Sequence, residues 1–171
     1  LSENRIRIDF ETDADLPEEG DFLENMTLTP SLHITGLKTG KNRPRGVLAT
    51  TPRDILIENC RFVHCSRWHF IEINGTSNTT IRNCVFDGPT YTQKPEELLN
   101  EQVQLDLARD GSYGPVYDCD GKLIDFRCDD TVCSNIIIEN NIFKCDGFPG
   151  IGHHGDCNHH NIIIRNNIFD G

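Results

Sequence analysis

The chain has 171 residues, of which 36% are hydrophobic and 25% are charged, and its net charge is −11 at pH 7. This length and composition predict one folded domain with a substantial core. The acidic charge argues against a nucleic-acid partner, because phosphate binding depends on a basic surface. No apolar run approaches the roughly 20 residues that cross a membrane, so we predict neither a nucleic-acid nor a membrane partner.

The N-terminal part of the chain, residues 1–40, is predicted to be an irregular segment that ends in a partial coil. Within it, residues 26–30 and 32–36 are candidate strands, whereas the acidic run 11–24 is typical of a solvated loop. The chain opens on Leu1 and stops at Gly171, directly after a complete repeat motif. From the sequence we therefore expect a piece of a longer protein, with further coils of the parent chain beside it.

A repeated motif fills much of residues 41–171. Each copy has a β-branched run, a charged residue, an Asn, one further residue, and a Phe two positions later; the copies are residues 54–62, 78–86, 135–143 and 161–169. Their equivalent Asn residues are 24, 57 and 26 residues apart. Spacings of 24 and 26 suit one solenoid coil, and 57 suits two coils of which only one carries a recognisable motif. The motif predicts an all-β fold, a right-handed parallel β-helix.

The shared Asn and Phe positions are explained by the fold. The corner needs a residue that tolerates left-handed backbone angles, and Asn does so at low cost. Stacked coils lie about 4.8 Å apart, so the columns of identical side chains are expected to form an Asn hydrogen-bond ladder and a Phe stack. The Asn column is Asn59, Asn83, Asn140 and Asn166. The Phe column is Phe62, Phe86, Phe143 and Phe169.

A further strand is expected in each coil, at residues 46–51, 69–74, 103–107 and 150–154. Alternation turns aliphatic side chains inward, at Ile71, Ile73, Val103, Leu105 and Leu107. It turns polar side chains outward on one sheet, at Glu72, Gln104, Asp106 and His154. Two predicted insertions, 89–102 and 108–134, border the strand that carries Gln104 and Asp106. Long loops in compact domains are usually functional, so we predict a walled groove with this strand as its floor.

The candidate catalytic residues are Asp106, Glu72, Glu101 and His154. Glycoside hydrolysis needs one carboxylic acid and one carboxylate that acts as base or nucleophile, and neighbouring coils bring such groups within reach. Asp106 and Glu72 are the leading pair, and His154 is a further proton-transfer candidate. The alternative interpretation is that these acids only keep an exposed sheet soluble.

Substrate-binding roles are predicted for groups that bond or stack on sugars, namely Gln104, Arg127, Arg45, Trp68 and His153. The arginines have an alternative role as partners of the nearby acids, and His153 has one as a histidine that points inward or into the turn. The His-rich run 153–160 matches no zinc spacing, so we predict neither a metal site nor a cofactor. Cys60 and Cys84 are expected to be buried free thiols.

Two stretches of the sequence resemble known β-helix families. Residues 22–30 and 42–62, which include Asn42-Arg-Pro-Arg-Gly46, resemble β-helix glycoside hydrolases of the α-1,3-galactosidase type. Residues 101–106 and 150–154 are similar to pectate-lyase-like β-helix proteins of Gram-positive bacteria and their phages. The galactosidase-type enzymes carry an acidic pair on a coil before the Asn-Arg-x-Arg-Gly phrase, where this chain has only Asp13 and Asp15 in a loop-like context.

The resemblance implies an extracellular or cell-surface glycoside hydrolase that acts on a neutral or galactose-containing glycan. Two alternatives stay open. A lyase or uronate epimerase needs a base and a cation that neutralises the sugar carboxylate, and the groove strands contribute few cations. A non-catalytic glycan-binding domain, such as a phage tail or adhesin module, needs no acid/base pair at all.

Overall fold

A computed structural model describes residues 30–40, 45–50, 53–65, 69–90, 101–106, 132–145, 149–153 and 158–171 of the chain. The described residues form short strands and no helix, so no helix that could cross a membrane is found among them. The strands are β1 Leu32–Thr35, β2 Val47–Thr50, β3 Arg53–Glu58, β4 Arg61–Cys65, β5 Ile71–Asn74, β6 Ser77–Arg82, β7 Val85–Thr90, β8 Val103–Asp106, β9 Ser134–Glu139, β10 Ile142–Lys144, β11 Ile151–His153, β12 His160–Arg165 and β13 Ile168–Asp170.

The strands stack into three parallel sheets. Sheet A has the order β1-β3-β6-β9-β12, sheet B the order β4-β7-β10-β13, and sheet C the order β2-β5-β8-β11. Each coil visits the sheets in turn, as β3, β4 and β5 do, and the next coil pairs with it in parallel register. The predicted parallel β-helix is confirmed.

The 57-residue spacing is one coil and not two, so that prediction is wrong. Strand β6 pairs directly with β9, with Ser77 opposite Ser134 and Ile81 opposite Ile138. The extra chain therefore lies in the connections of a single coil and adds no further strand to the stack between β6 and β9. Most of both predicted insertions lies outside the described residues.

The corner Asn residues have the predicted backbone conformation. Asn59, Asn83, Asn140 and Asn166 have φ between 54° and 56°, in the left-handed region that Asn tolerates. The hydrogen-bond ladder, however, runs elsewhere. It connects the residues at the start of the sheet A strands, where Asn78 donates to Asp54, Asn135 to Asn78 and Asn161 to Asn135, at 3.0–3.2 Å.

The residue after each corner Asn points into the core and binds backbone atoms. Asn141 Nδ2 donates to the carbonyl of Ile81 at 3.0 Å, and Asn141 Oδ1 accepts from the backbone N–H of Cys84 at 2.9 Å. Earlier coils have Cys60 and Cys84 at this position, both buried and free, as predicted. Burial raises the pKa of the Cys84 thiol to about 12, so this thiol is protonated and inert at neutral pH.

The core is a column of aromatic rings surrounded by isoleucines. Phe62, Phe86, Phe143 and Phe169 stack with centroids 4.7–5.3 Å apart and planes within 12° of parallel. The first three rings are fully buried, whereas Phe169 at the last coil is 54% exposed. The predicted Phe stack is confirmed, and each of the three buried rings contributes the burial of a whole aromatic side chain to stability.

Candidate functional site

Strands β5 and β8 carry polar side chains on the face that turns away from the core. Ile71 and Ile73 belong to the hydrophobic core, and so do Val103 and Leu105 of the next coil. Strict alternation along the strands therefore directs the intervening side chains to the opposite face, namely those of Glu72, Asn74, Gln104 and Asp106. The predicted sidedness is confirmed.

The exposure predicted for this face is wrong. Glu72 is 2% exposed, Gln104 3% and Asp106 4%. Alternation predicts only the direction of a side chain, whereas its exposure depends on the chain that covers the sheet. The polar residues of β5 and β8 thus form a buried polar cluster and not the floor of an open trench. Burial of charge is costly unless partners are present, so their partners identify what the cluster can do.

Glu72 is held by two donors. Arg45 Nε donates to Glu72 Oε2 in an ion pair, and Asn74 Nδ2 donates to Glu72 Oε1 at 3.2 Å. The guanidinium balances the charge of the carboxylate, and its side chain is 22% exposed while that of Glu72 is 3% exposed. The structure therefore places Arg45, one of the predicted substrate-binding residues, directly on a predicted catalytic one.

Glu101 reaches the same face from the segment before β8. Its side chain packs on Gly152 of β11, so that a Cβ at this position would overlap Glu101 Cγ and lie 3.1 Å from Glu101 Cδ. Gly152 pairs with Gln104 in register, which sets Glu101 against the outward side of sheet C. Glycine is required here for the close approach of a neighbouring side chain.

His69 lies between the two glutamates and was not among the residues predicted from the sequence. Its Nδ1 donates to the backbone carbonyl of Glu101 at 2.8 Å and lies 3.6 Å from Glu101 Oε2. Its Nε2 lies 3.9 Å from Glu72 Oε2. Desolvation by burial lowers the pKa of His69, although the neighbouring Glu101 and Glu72 act in the opposite direction. The ring is therefore neutral at pH 7.

Within the part of the chain that the structure describes, two buried acceptors of the cluster have no hydrogen-bond donor. They are Asn74 Oδ1 and Glu101 Oε2. The amide of Asn74 is oriented by its bond to Glu72, since a carboxylate accepts and only the Nδ2 end can donate to it. A buried acceptor without a donor is uncommon in proteins and costs about 1–3 kcal/mol. The cluster is thus suited to a ligand that supplies hydrogen-bond donors.

The structure does not bring every predicted site residue together. His153 pairs in register with Leu105 and so occupies the core side of sheet C, away from the outward cluster. It is exposed at the last coil, where it lies 6.2 Å from the ring of His159 and lines a mainly apolar cavity of about 280 Å³. His154, Arg127 and Trp68 lie outside the described residues, and their roles stay predictions.

The sequence predicted the carboxylates and Arg45 as an alternative partner of the acids, but it did not predict His69 or Asn74. His69 and Asn74 stood in the predicted strand 69–74, and their proximity to Glu72 at sequence distances of three and two was a usable signal. The contact of Glu101 with Gly152 had no such signal, because it joins two coils across the sheet. No group of three or more metal-binding side chains occurs within the described ranges.

The chain belongs to the right-handed β-helix region family, whose model matches residues 25–171. Among curated proteins it is similar to an α-1,3-galactosidase A of Peterkaempfera griseoplana, with 31% identity over 144 residues, covering 78% of this chain and 17% of that protein. It is also similar to an α-1,3-galactosidase A of Bacteroides fragilis, with 28% identity over 147 residues, covering 84% of this chain and 22% of that protein.

Among solved structures, the surface protein and adhesin PfbA of Streptococcus pneumoniae is similar, with a TM-score of 0.48 and 23% identity, covering 70% of this chain and 29% of that one. The chain spans about a fifth of the length of the galactosidases that it matches.

Proposed function

We propose that this protein is a glycoside hydrolase that acts on a neutral or galactose-containing glycan at the buried polar cluster. One observation carries the proposal: Glu72 and Glu101 lie on opposite edges of the His69 ring, on the sheet face that also carries Asp106. The α-1,3-galactosidase names of two relatives support a galactoside as substrate. An enzyme of this kind meets its glycan outside the cell, so an extracellular or cell-surface location forms part of the proposal.

The spacing of the carboxylates is compatible with glycoside hydrolysis. Contacts of 3.9 and 3.6 Å to one imidazole ring keep Glu72 Oε2 and Glu101 Oε2 within roughly 10 Å of each other, a range that includes the retaining distance of about 5 Å and the inverting distance of about 6.5–9.5 Å. Asp106 is opposite Asn74 in register, which makes it a diagonal neighbour of Glu72 on the same face, roughly 7–8 Å away.

The contacts suggest separate roles for the three acids. Glu72 already has Arg45 and Asn74 as partners, so it serves as the fixed negative charge that stabilises an oxocarbenium-like transition state. Glu101 Oε2 has no donor, so it accepts the proton of the attacking water as general base. Asp106 then protonates the leaving oxygen as general acid.

The free acceptors support a ligand rich in hydroxyl groups. Asn74 Oδ1 and Glu101 Oε2 can each accept from a hydroxyl of a sugar or from the attacking water. The three carboxylates outnumber the single guanidinium of Arg45 within the described cluster, which disfavours a uronate and favours a neutral sugar. Gln104 offers both a donor and an acceptor on the same face.

The test is hydrolysis of an α-1,3-linked digalactoside by the full-length protein. The release of free galactose is measured. We expect Glu101→Gln to lower kcat/KM by about 10²–10⁴-fold, the usual loss for one acid/base group. Glu139→Gln is the matched control, because Glu139 is paired with Arg165 on sheet A and lies far from the cluster. It should keep full activity.

Other outcomes of this experiment would indicate a different function. Binding of the digalactoside without any released galactose would indicate a glycan-binding domain, and an unsaturated product that absorbs ultraviolet light would indicate a lyase. Equal activity of Glu101→Gln and the wild type would reject the cluster as the catalytic site. A further test of Glu101 as general base uses azide. Azide should restore turnover to Glu101→Ala, because this small anion needs no general base and replaces the water that Glu101 activates.

A further inference from the structure

We propose that His69 is a positioning residue, which holds Glu101 against Gly152 and thereby fixes the separation of the Glu101 and Glu72 carboxylates. The positioning itself follows from the contacts below. Its effect on turnover rests on the proposed function.

His69 lies near both glutamates, 3.9 Å from Glu72 Oε2 and 3.6 Å from Glu101 Oε2. A backbone carbonyl can only accept, so the 2.8 Å bond to the carbonyl of Glu101 places the proton of the neutral ring on Nδ1. That bond ties the backbone of Glu101 to the second residue before β5, in the neighbouring coil. At 1% exposure the ring has no room to turn to another rotamer.

Glu101 is therefore confined from two sides. The His69 ring stands 3.6 Å from its Oε2, and the Cα of Gly152 lies directly against its side-chain stem. The unoccupied acceptor Oε2 is thus held at a defined place and does not swing into solvent. Such preorganisation matters because a displacement of 1 Å at a reacting group costs about 10²-fold in rate.

The opposite edge of the His69 ring limits how close the Glu72 carboxylate can come. Since the proton is on Nδ1, Nε2 carries a lone pair, and this nitrogen lies 3.9 Å from Glu72 Oε2 without a hydrogen bond. The carboxylate turns instead to Arg45 and Asn74. The charged groups that face His69 in the described chain are Glu72, Glu101 and Arg45. The imidazole acts here as a spacer of fixed width and not as a proton carrier.

The experiment compares His69→Asn, which keeps a donor near the Nδ1 position, with His69→Phe, which keeps the ring and removes the donor. The first readout is the nuclear Overhauser effect between the Glu101 γ protons and the Gly152 α protons. We expect it in the wild type and in His69→Asn, and expect its loss in His69→Phe. The control His33→Phe replaces an exposed histidine of β1 that faces Glu58, and it should retain the effect.

The second readout separates positioning from stability. His69→Phe should lower kcat by about 10²-fold with little change in KM, and His69→Asn should stay within a few-fold of the wild type. Should His69→Phe not fold, His69→Leu supplies the same test, because it also removes the donor and is compared with His69→Asn in the same way. Retention of the Overhauser effect in His69→Phe, or equal loss in both His69 variants, would overturn the proposal. Absence of turnover in the wild type would instead reject the proposed function. The Overhauser effect between Glu101 and Gly152 would then still test whether His69 positions Glu101.

Discussion

The outward faces of sheets A and C differ, although the same coils build both. On sheet A the chemistry repeats: Asn78, Asn135 and Asn161 form one ladder, and arginine–glutamate pairs recur at the strand ends. On sheet C no residue type repeats in the outward column, which runs Leu48, Glu72, Gln104, Gly152. Repeated side chains stabilise the stacking of coils. The outward column of sheet C has no repeated residue type, so stacking does not explain its composition.

Burial separates the two faces as well. The Arg82–Glu58 pair on sheet A has an arginine that is 41% exposed, and this partner lowers the pKa of Glu58. The Arg45–Glu72 pair on sheet C joins a carboxylate that is 3% exposed to the cluster. An exposed pair contributes little to stability, whereas a buried one must be matched in geometry. The comparison therefore indicates a structural role for the outward face of sheet A and supports the chemical role proposed for the outward face of sheet C.

The largest expected effect comes from making the same substitution on each face. Glu72→Gln keeps an acceptor for Arg45 but removes the charge from the cluster, and we expect a fall of about 10²–10⁴-fold in kcat/KM. Glu58→Gln removes the matching charge on sheet A and should leave kcat/KM unchanged. Steady-state kinetics on the digalactoside measure both. Equal losses in the two variants would break the comparison.

A smaller effect is expected in stability from the ladder of sheet A. Asn78→Ala loses two ladder bonds and keeps a strained φ of 55°, so the free energy of unfolding should fall by about 2 kcal/mol. Asn78→Gly accepts this φ freely, so it should lose only about 1 kcal/mol. Urea denaturation measures the difference. If alanine and glycine were equally destabilising, backbone strain would not contribute.

The smallest expected effect is a pH dependence from His69. Burial lowers its pKa below the ordinary 6.5, so the unfolded chain takes up a proton first as the pH falls. The free energy of unfolding should therefore decrease as the pH falls below about 6.5. His69→Asn should reduce this decrease, and His159, whose pKa is also lowered by burial, accounts for part of the remainder. Denaturation between about pH 7.5 and 5.5 measures how the free energy of unfolding depends on pH in the wild type and in His69→Asn. The two dependences would be identical if His69 did not contribute.

Much of the fold was predictable because the sequence of a solenoid repeats with the length of its coil. The recurring Asn and Phe gave the corner, the stack and the strand that follows, since each coil must satisfy the same backbone angles and fill the same core. The ladder was assigned to the wrong Asn column. The sequence places one Asn column before the strand and another after it, and only the stacking of the coils decides which side chains form hydrogen bonds.

For the candidate site, the alternation in β5 and β8 determined which side chains face away from the core, because the period of a strand is two wherever one face is buried. It did not determine that Glu72, Gln104 and Asp106 are buried, that Glu101 packs on Gly152, or that His69 lies between two carboxylates. The contacts of Glu101 with His69 and with Gly152 join residues 32 and 51 positions apart in the chain. They depend on how coils and connections cover one another, and only the tertiary structure decides that.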